Sequence, residues 1–397
     1  MRNRLLPGVT EATRLTRAGR LGEALALIQS TLGGRPAPAT DGEPREAPPH
    51  GREAPRLAGP AAGAAGTPAA GPARAAPDPL AAGLPEGLRD LVRQVGRTLG
   101  PALDDWLKPE PAPAGKVAPG AGRFLSARFA NAAGERAYRL YVPGRYRGRP
   151  VPLVVMLHGC TQSPEDFAAG TGMNHLAEAE TFLVAYPAQA AAANHARCWN
   201  WFSTADQGRD RGEAALVAGL TRAVMEAYAV DPRRVYVAGL SAGGAAAANL
   251  AAAYPDLYAA VGVHSGLCAG AAHDLPSALA AMRQGAAGPR AQGAAIPTIV
   301  FHGDQDTTVH PRNGAHLIAA TGGAPLREEA GQAPGGHAWR RSLFGDAAGR
   351  PAFEHWVIQG SGHAWSGGDA AGSYTDPRGP DASREMWRFF AEHPREG

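Results

Sequence analysis

Beyond residue 124, apolar positions fall into short runs separated by stretches of helical spacing. Residues 136–142 alternate apolar and polar and predict an antiparallel edge strand, whereas 152–157 is an unbroken apolar run and predicts a strand buried on both faces. Similar runs occur at 182–186, 234–238, 259–263, 298–301 and 353–358. Between them, residues 213–228 and the small-residue stretch after Gly243 carry helical spacing. Strands joined by helical segments of this length pair in parallel through right-handed crossovers, so the expected class is α/β, a mostly parallel sheet with helices on both faces. Active groups then gather at the carboxyl ends of the strands.

The front of the 397-residue chain has a different texture. Leu21, Leu25, Ile28 and Leu32 recur at helical spacing among Glu11, Arg14, Arg17, Arg20 and Glu23, which predicts an amphipathic helical segment over 1–33. It serves either to dock a granule or protein partner or to pack on its own domain. Residues 34–83 are Ala, Pro and Gly with few aromatic or β-branched side chains and read as a disordered linker. Leu84, Leu88, Leu91, Val92, Val95 and Leu99 predict a second helix, continued by Leu103, Trp106 and Leu107 and stopped by Pro109 and Pro111, so 84–115 is a helix and connector. The catalytic domain is expected over 116–397.

A formal charge of +3, with scattered basic residues, argues against a nucleic-acid surface. No stretch is long and apolar enough to span a bilayer. Pro7, Glu11 and Arg14 interrupt any secretory apolar region near the start, so cytoplasmic residence is the expectation and extracellular residence the alternative. Cys160, Cys198 and Cys268 lack metal-ligand spacing, and three reduced thiols are the default, with one disulfide as the alternative.

The densest chemistry lies at Gly239-Leu240-Ser241-Ala242-Gly243, between the run at 234–238 and the helix-forming Gly244-Ala245-Ala246-Ala247-Ala248-Asn249-Leu250. Strand, sharp turn and helix with small residues two before and two after a serine make a nucleophile elbow. The alternative, a serine that only caps the helix, leaves the downstream residues unexplained. Those are Asp304 and Asp306 after the run at 298–301, and His363 in a glycine-flanked loop after the last strand. Their order suits a serine, acid, base triad, and spacing leaves both aspartates open. His355 lies inside a strand, committed to one face. The backbone N–H of Cys160, after the strand at 152–157, and that of Ala242 are the expected oxyanion donors. Cys160 as a thiol nucleophile is the weaker reading, since no base is placed for it. His264, also at a strand end, is a candidate substrate contact or a residue bonded to neighbouring loops. Trp199, Trp201 and Phe202 form either an apolar substrate platform or a plug beneath their loop.

The segments Val155-Met156-Leu157-His158-Gly159-Cys160-Thr161-Gln162, Cys198-Trp199-Asn200-Trp201-Phe202, Val237-Ala238-Gly239-Leu240-Ser241-Ala242-Gly243, His302-Gly303-Asp304-Gln305-Asp306-Thr307-Thr308-Val309 and Gly362-His363-Ala364-Trp365 resemble the polyhydroxybutyrate depolymerase family of esterases. The resemblance implies an α/β-hydrolase fold and a Ser241, Asp306, His363 triad, because the family pattern H-G-x-x-D-x-x-V puts the acid on Asp306. It also implies no metal or other cofactor, and hydrolysis of poly(3-hydroxybutyrate) or its oligomers through an acyl-enzyme. Feruloyl and acetyl-xylan esterases are similar through the same motifs and form the alternative. A non-catalytic granule- or partner-binding protein on a hydrolase scaffold is the alternative of another class.

Overall fold

Two antiparallel strands, β1 (Arg123–Asn131) and β2 (Gly134–Val142), open the part of the chain that the computed structural model describes, residues 122–286 and 296–396. The segments expected over 1–33, 34–83 and 84–115 lie outside the described residues. Val117–Gly397 is one compact unit.

The remaining strands of the main sheet are β3 (Val151–Leu157), β4 (Leu183–Pro187), β5 (Val230–Leu240), β6 (Ala260–His264), β7 (Thr298–Gly303), β8 (Ala324–Gln332), β9 (Ala338–Gly345) and β10 (Pro351–Ile358). Their order is β1-β2-β4-β3-β5-β6-β7-β10-β9-β8, with β4, β3, β5, β6, β7 and β10 parallel to their neighbours in that group. Every parallel strand matches an apolar run of the sequence. The pair β8 and β9 was not expected, because charged residues interrupt its apolar positions; it joins the sheet antiparallel through β10. The alternating strand at 136–142 is not an edge, since β1 covers its outer side.

Period-two geometry explains why β3 and the second half of β5, from Val235, must be apolar throughout. Leu153, Val155, Leu157, Val235 and Val237 enter the core on one face, with the helices Gly212–Ala227 and Ala242–Ala253. Val154, Met156, Tyr236 and Ala238 enter the other, with Phe167, Met173, Phe389 and Phe390. The closing helix Ala382–Glu392 turns Met386, Phe389 and Phe390 inward at helical spacing, and Asp381 caps its start by accepting the Arg384 N–H at 2.9 Å. A sheet covered on both faces leaves its strand ends as the place where side chains converge on open space.

Candidate active site

Ser241 sits between β5 and the helix Ala242–Ala253 with φ 58° and ψ −120°, a conformation that L side chains rarely adopt. Neighbouring backbone holds it there: the Ser241 N–H donates to the His264 carbonyl at 2.9 Å, joining the ends of β5 and β6. The elbow glycines are required sterically. A Cβ on Gly239 would strike the Gly243 backbone, and one on Gly243 would strike the carbonyl oxygens of Leu157 and His158. That close approach brings the elbow against the end of β3, where an added Cβ on Gly159 would lie 3.7 Å from the Ser241 Cβ.

The two aspartates after β7 have separate partners. His363 Nδ1 donates to Asp306 Oδ2 at 2.7 Å, while Asp306 Oδ1 accepts the N–H groups of Thr308 at 2.9 Å and Val309 at 2.8 Å. Asp304 Oδ1 instead accepts the Gly360 N–H at 2.7 Å, fastening the turn that leads to His363. Asp306 is buried, which by itself raises a carboxyl pKa. Hydrogen bonds from His302 and His363 outweigh that and hold it far below the usual carboxylate range. A side chain on Gly303 would collide with the Ser361 and Gly362 carbonyls, so this glycine lets the loops of Asp306 and His363 meet.

His302 was not foreseen. It lies buried at the end of β7, with Nε2 2.8 Å from the Val309 carbonyl and 3.4 Å from Asp306 Oδ2. Nor was Asp376, in the short strand β12 (Thr375–Asp376) that pairs with β11 (Trp365–Ser366) just after His363. Asp376 accepts from Arg378 Nε at 2.9 Å, His337 Nε2 at 2.9 Å and Ser361 Oγ at 3.4 Å. The Arg378 bonds foremost keep its carboxyl well below the usual range. Sequence patterns do not reveal the support that His337 and Ser361 give Asp376, because these partners lie 39 and 15 residues away along the chain.

After β3, the turn His158 to Gln162 is braced from several sides. His158 Nδ1 donates to the Gly159 carbonyl at 2.7 Å and its Nε2 accepts the Gln189 N–H at 3.1 Å. Burial pushes this imidazole down to about 4, in keeping with an acceptor nitrogen. Trp199 Nε1 donates to the His158 carbonyl at 3.1 Å, and the Gly159 N–H donates to Gln162 Oε1 at 2.9 Å. Ala242 is the first residue of its helix, where the backbone N–H has no intrahelical acceptor. Cys160 is disulfide-bonded to Cys198. This corrects the expectation of three reduced thiols and removes the thiol-nucleophile reading; Cys268 is free and buried.

The disulfide ties the turn to the aromatic loop. Trp199 is 0% and Trp201 5% exposed, so neither ring offers a face to a substrate, and the platform reading is corrected to a plug for both. Phe202 is half-buried and meets Trp201 edge to face. Beneath the loop, buried Glu213 accepts the Asn200 N–H at 2.7 Å and bonds Gln189 Nε2 and Arg136 Nη2. Its carboxyl is raised, chiefly by desolvation. His264 is also corrected from a substrate contact to a brace. It is 1% exposed, stacks on Phe301 and Trp365, and its Nε2 accepts the Ser366 N–H at 2.9 Å.

Known proteins are similar to this chain in sequence and in fold. Residues 136–321 match the family model described as Esterase PHB depolymerase. Curated relatives include poly(3-hydroxyalkanoate) depolymerase C of Paucimonas lemoignei, 33% identical over 53% of this chain and 54% of that protein. Probable acetylxylan esterase A of Aspergillus clavatus is 30% identical over 44% of this chain and 61% of its own length. Feruloyl esterase B of Thermothelomyces thermophilus is 27% identical over 56% and 82% respectively. The chain thus spans less than two thirds of the depolymerase and of that acetylxylan esterase. Among solved structures, an acetyl xylan esterase from Aspergillus awamori aligns with a TM-score of 0.54 at 22% identity, covering 68% of this chain and 99% of that one, a likeness of fold. Residues 136–321 are therefore similar to an Esterase PHB depolymerase domain, in a chain with the α/β-hydrolase fold.

Proposed function

We propose that the chain is a serine esterase acting through an acyl-enzyme, with poly(3-hydroxybutyrate) or its oligomers as substrate. The observation that carries this reading is the 2.7 Å bond from His363 Nδ1 to a buried, ionised Asp306, which follows β7 as the elbow serine follows β5, at the carboxyl ends of parallel strands. With its Nδ1 proton held by Asp306, His363 keeps Nε2 as the base that takes the Ser241 proton. The Ser241 Oγ attacks the ester carbonyl, and the Cys160 and Ala242 N–H groups stabilise the oxyanion. His363 then protonates the departing alcohol. A water deprotonated by His363 attacks the acyl-enzyme, releasing the acid and restoring Ser241.

The relatives bear on the substrate through their names: a poly(3-hydroxyalkanoate) depolymerase supports the polyester reading, and acetylxylan and feruloyl esterases define its alternative. A disulfide between Cys160 and Cys198 supports work in an oxidising compartment outside the cytosol, against the expectation from the first residues. Among the described residues no helix is long and apolar enough to cross a membrane.

The test is release of acid from amorphous poly(3-hydroxybutyrate), 3-hydroxybutyrate oligomers, acetylated xylan and methyl ferulate by the full chain and by Ser241→Ala. Turnover of the polyester or its oligomers that disappears in Ser241→Ala and after treatment with a serine-directed organophosphate supports the proposal. Preference for acetylated xylan or ferulate moves the substrate to a carbohydrate. Absence of serine-dependent turnover on all four overturns the esterase reading in favour of a binding scaffold.

A further inference from the structure

With Trp199 and Trp201 buried and Phe202 half-buried, a more exposed aromatic ring lies elsewhere. Leu275, Leu326 and Tyr374 are the exposed large hydrophobic side chains among the described residues. Leu275 opens a helix and Leu326 lies on the edge strand β8. Tyr374, 48% exposed, belongs to the loops of the site. Its carbonyl accepts the Trp365 N–H at 2.7 Å, two residues after His363. Its hydroxyl lies 3.3 Å from Thr161 Oγ1. The Thr161 hydroxyl donates to the Cys160 carbonyl at 2.5 Å, which leaves the Tyr374 hydroxyl as the donor of the pair. Tyr374 therefore bridges the segment that carries the base and the turn that carries the expected oxyanion donor.

Tyr374 has φ 53°, and its partner Thr161 has φ 67°. Bulky residues in this region cost stability and persist where surrounding bonds over-determine them, typically at sites that handle ligands. Here the supports are explicit. The preceding residue, Ser373, donates its N–H to Asp166 Oδ1 at 2.9 Å and its hydroxyl to Asp166 Oδ2 at 2.6 Å, and its carbonyl accepts from Gln162 Nε2 at 3.0 Å. A strained backbone held this firmly presents an aromatic ring to solvent instead of burying it. An exposed ring on the segment that bonds both Thr161, next to Cys160, and Trp365, two residues after His363, has an apolar face of the size of a short aliphatic ester segment.

We propose that Tyr374 is a specificity-determining contact that packs against the part of an ester substrate extending past the scissile bond, favouring oligomeric aliphatic esters over minimal ones. The inference rests on the esterase reading above. Its test uses the full chain as Tyr374→Ala and Tyr374→Phe, comparing kcat/KM for a 3-hydroxybutyrate trimer with that for methyl acetate, which is too small to reach the ring. The trimer-to-methyl-acetate ratio is expected to fall about tenfold in Tyr374→Ala, through KM, and to stay within about twofold of the parent in Tyr374→Phe. A role confined to bracing Thr161 would lower both substrates together and make Tyr374→Phe as poor as Tyr374→Ala. That outcome overturns the proposal. In a Ser241→Ala background, calorimetry with the trimer reads binding apart from turnover: Tyr374→Ala should weaken Kd about tenfold, and an unchanged Kd overturns the contact. Turnover persisting in Ser241→Ala would strike at the esterase reading instead, with the Kd comparison still deciding on Tyr374.

Discussion

Exchanging Asp306 for asparagine changes one atom's hydrogen-bonding character and little of its size. Oδ1 is held by the N–H groups of Thr308 and Val309, both donors, so the asparagine oxygen must occupy that place. The amide nitrogen then falls at Oδ2, 2.7 Å from His363 Nδ1. Two donors cannot face each other, so the imidazole moves its proton to Nε2. That is the nitrogen that has to accept from Ser241. The ionised partner that stabilises the imidazolium is lost as well. The expected fall in kcat is about 10⁴, or about 5 kcal/mol of transition-state stabilisation. Asp304→Asn keeps an oxygen for the Gly360 N–H and should lower kcat by less than about tenfold. Initial rates on a soluble ester, with thermal melts to show that both variants fold, provide the assay. Asp306→Asn within tenfold of the parent, or a larger loss in Asp304→Asn, would refute the assignment of the acid.

Three further outcomes follow from the packing around the site. Replacing Cys160 and Cys198 together with serine opens a crosslink spanning 38 residues and should cost about 2–4 kcal/mol of unfolding free energy by urea titration, with a loss of kcat from loosening the Cys160 turn; an unchanged urea midpoint and kcat would count against that role. Trp201→Ala should destabilise by about 3–5 kcal/mol and reduce polymer and small-ester turnover alike; a selective loss on the polymer with an unchanged melting temperature would restore the platform. Burial pushes His158 and His355 down to about 4 and His264 to about 3, so the unfolded chain binds protons that the folded one refuses. Their contribution is complete above about pH 6.5 and is lost as the pH falls towards about 4, so the urea midpoint should drop between pH 7 and pH 5, and a flat midpoint would argue that these rings take up protons when folded.

What could be read along the chain was whatever depends on local spacing. Largely apolar runs marked β3 to β7 and β10, because a strand covered on both faces buries most of its side chains; the buried polar positions, such as Glu354 in β10 and His302 in β7, are held by specific partners. The elbow was legible because steric demands at Gly239 and Gly243 leave a signature within five residues. Tertiary structure decided what depends on distant partners. Both Asp304 and Asp306 reach the loop after β10, and the packed Gly303 turn decides that Asp304 meets the Gly360 N–H while Asp306 meets His363, a choice that strand spacing alone left open. Pairing of Cys160 with Cys198 required two loops to meet, and the aromatic motif became a plug only when Glu213 and His158 anchored it from below and beside. Strands β8 and β9 escaped notice because charged residues interrupt their apolar positions, so that neither shows a continuous run; β9 is placed by pairing on β10 and β8 by pairing on β9. Tyr374 has no sequence signature at all: its exposure and its backbone conformation result from bonds made by Asp166, Gln162 and Thr161, more than two hundred residues away.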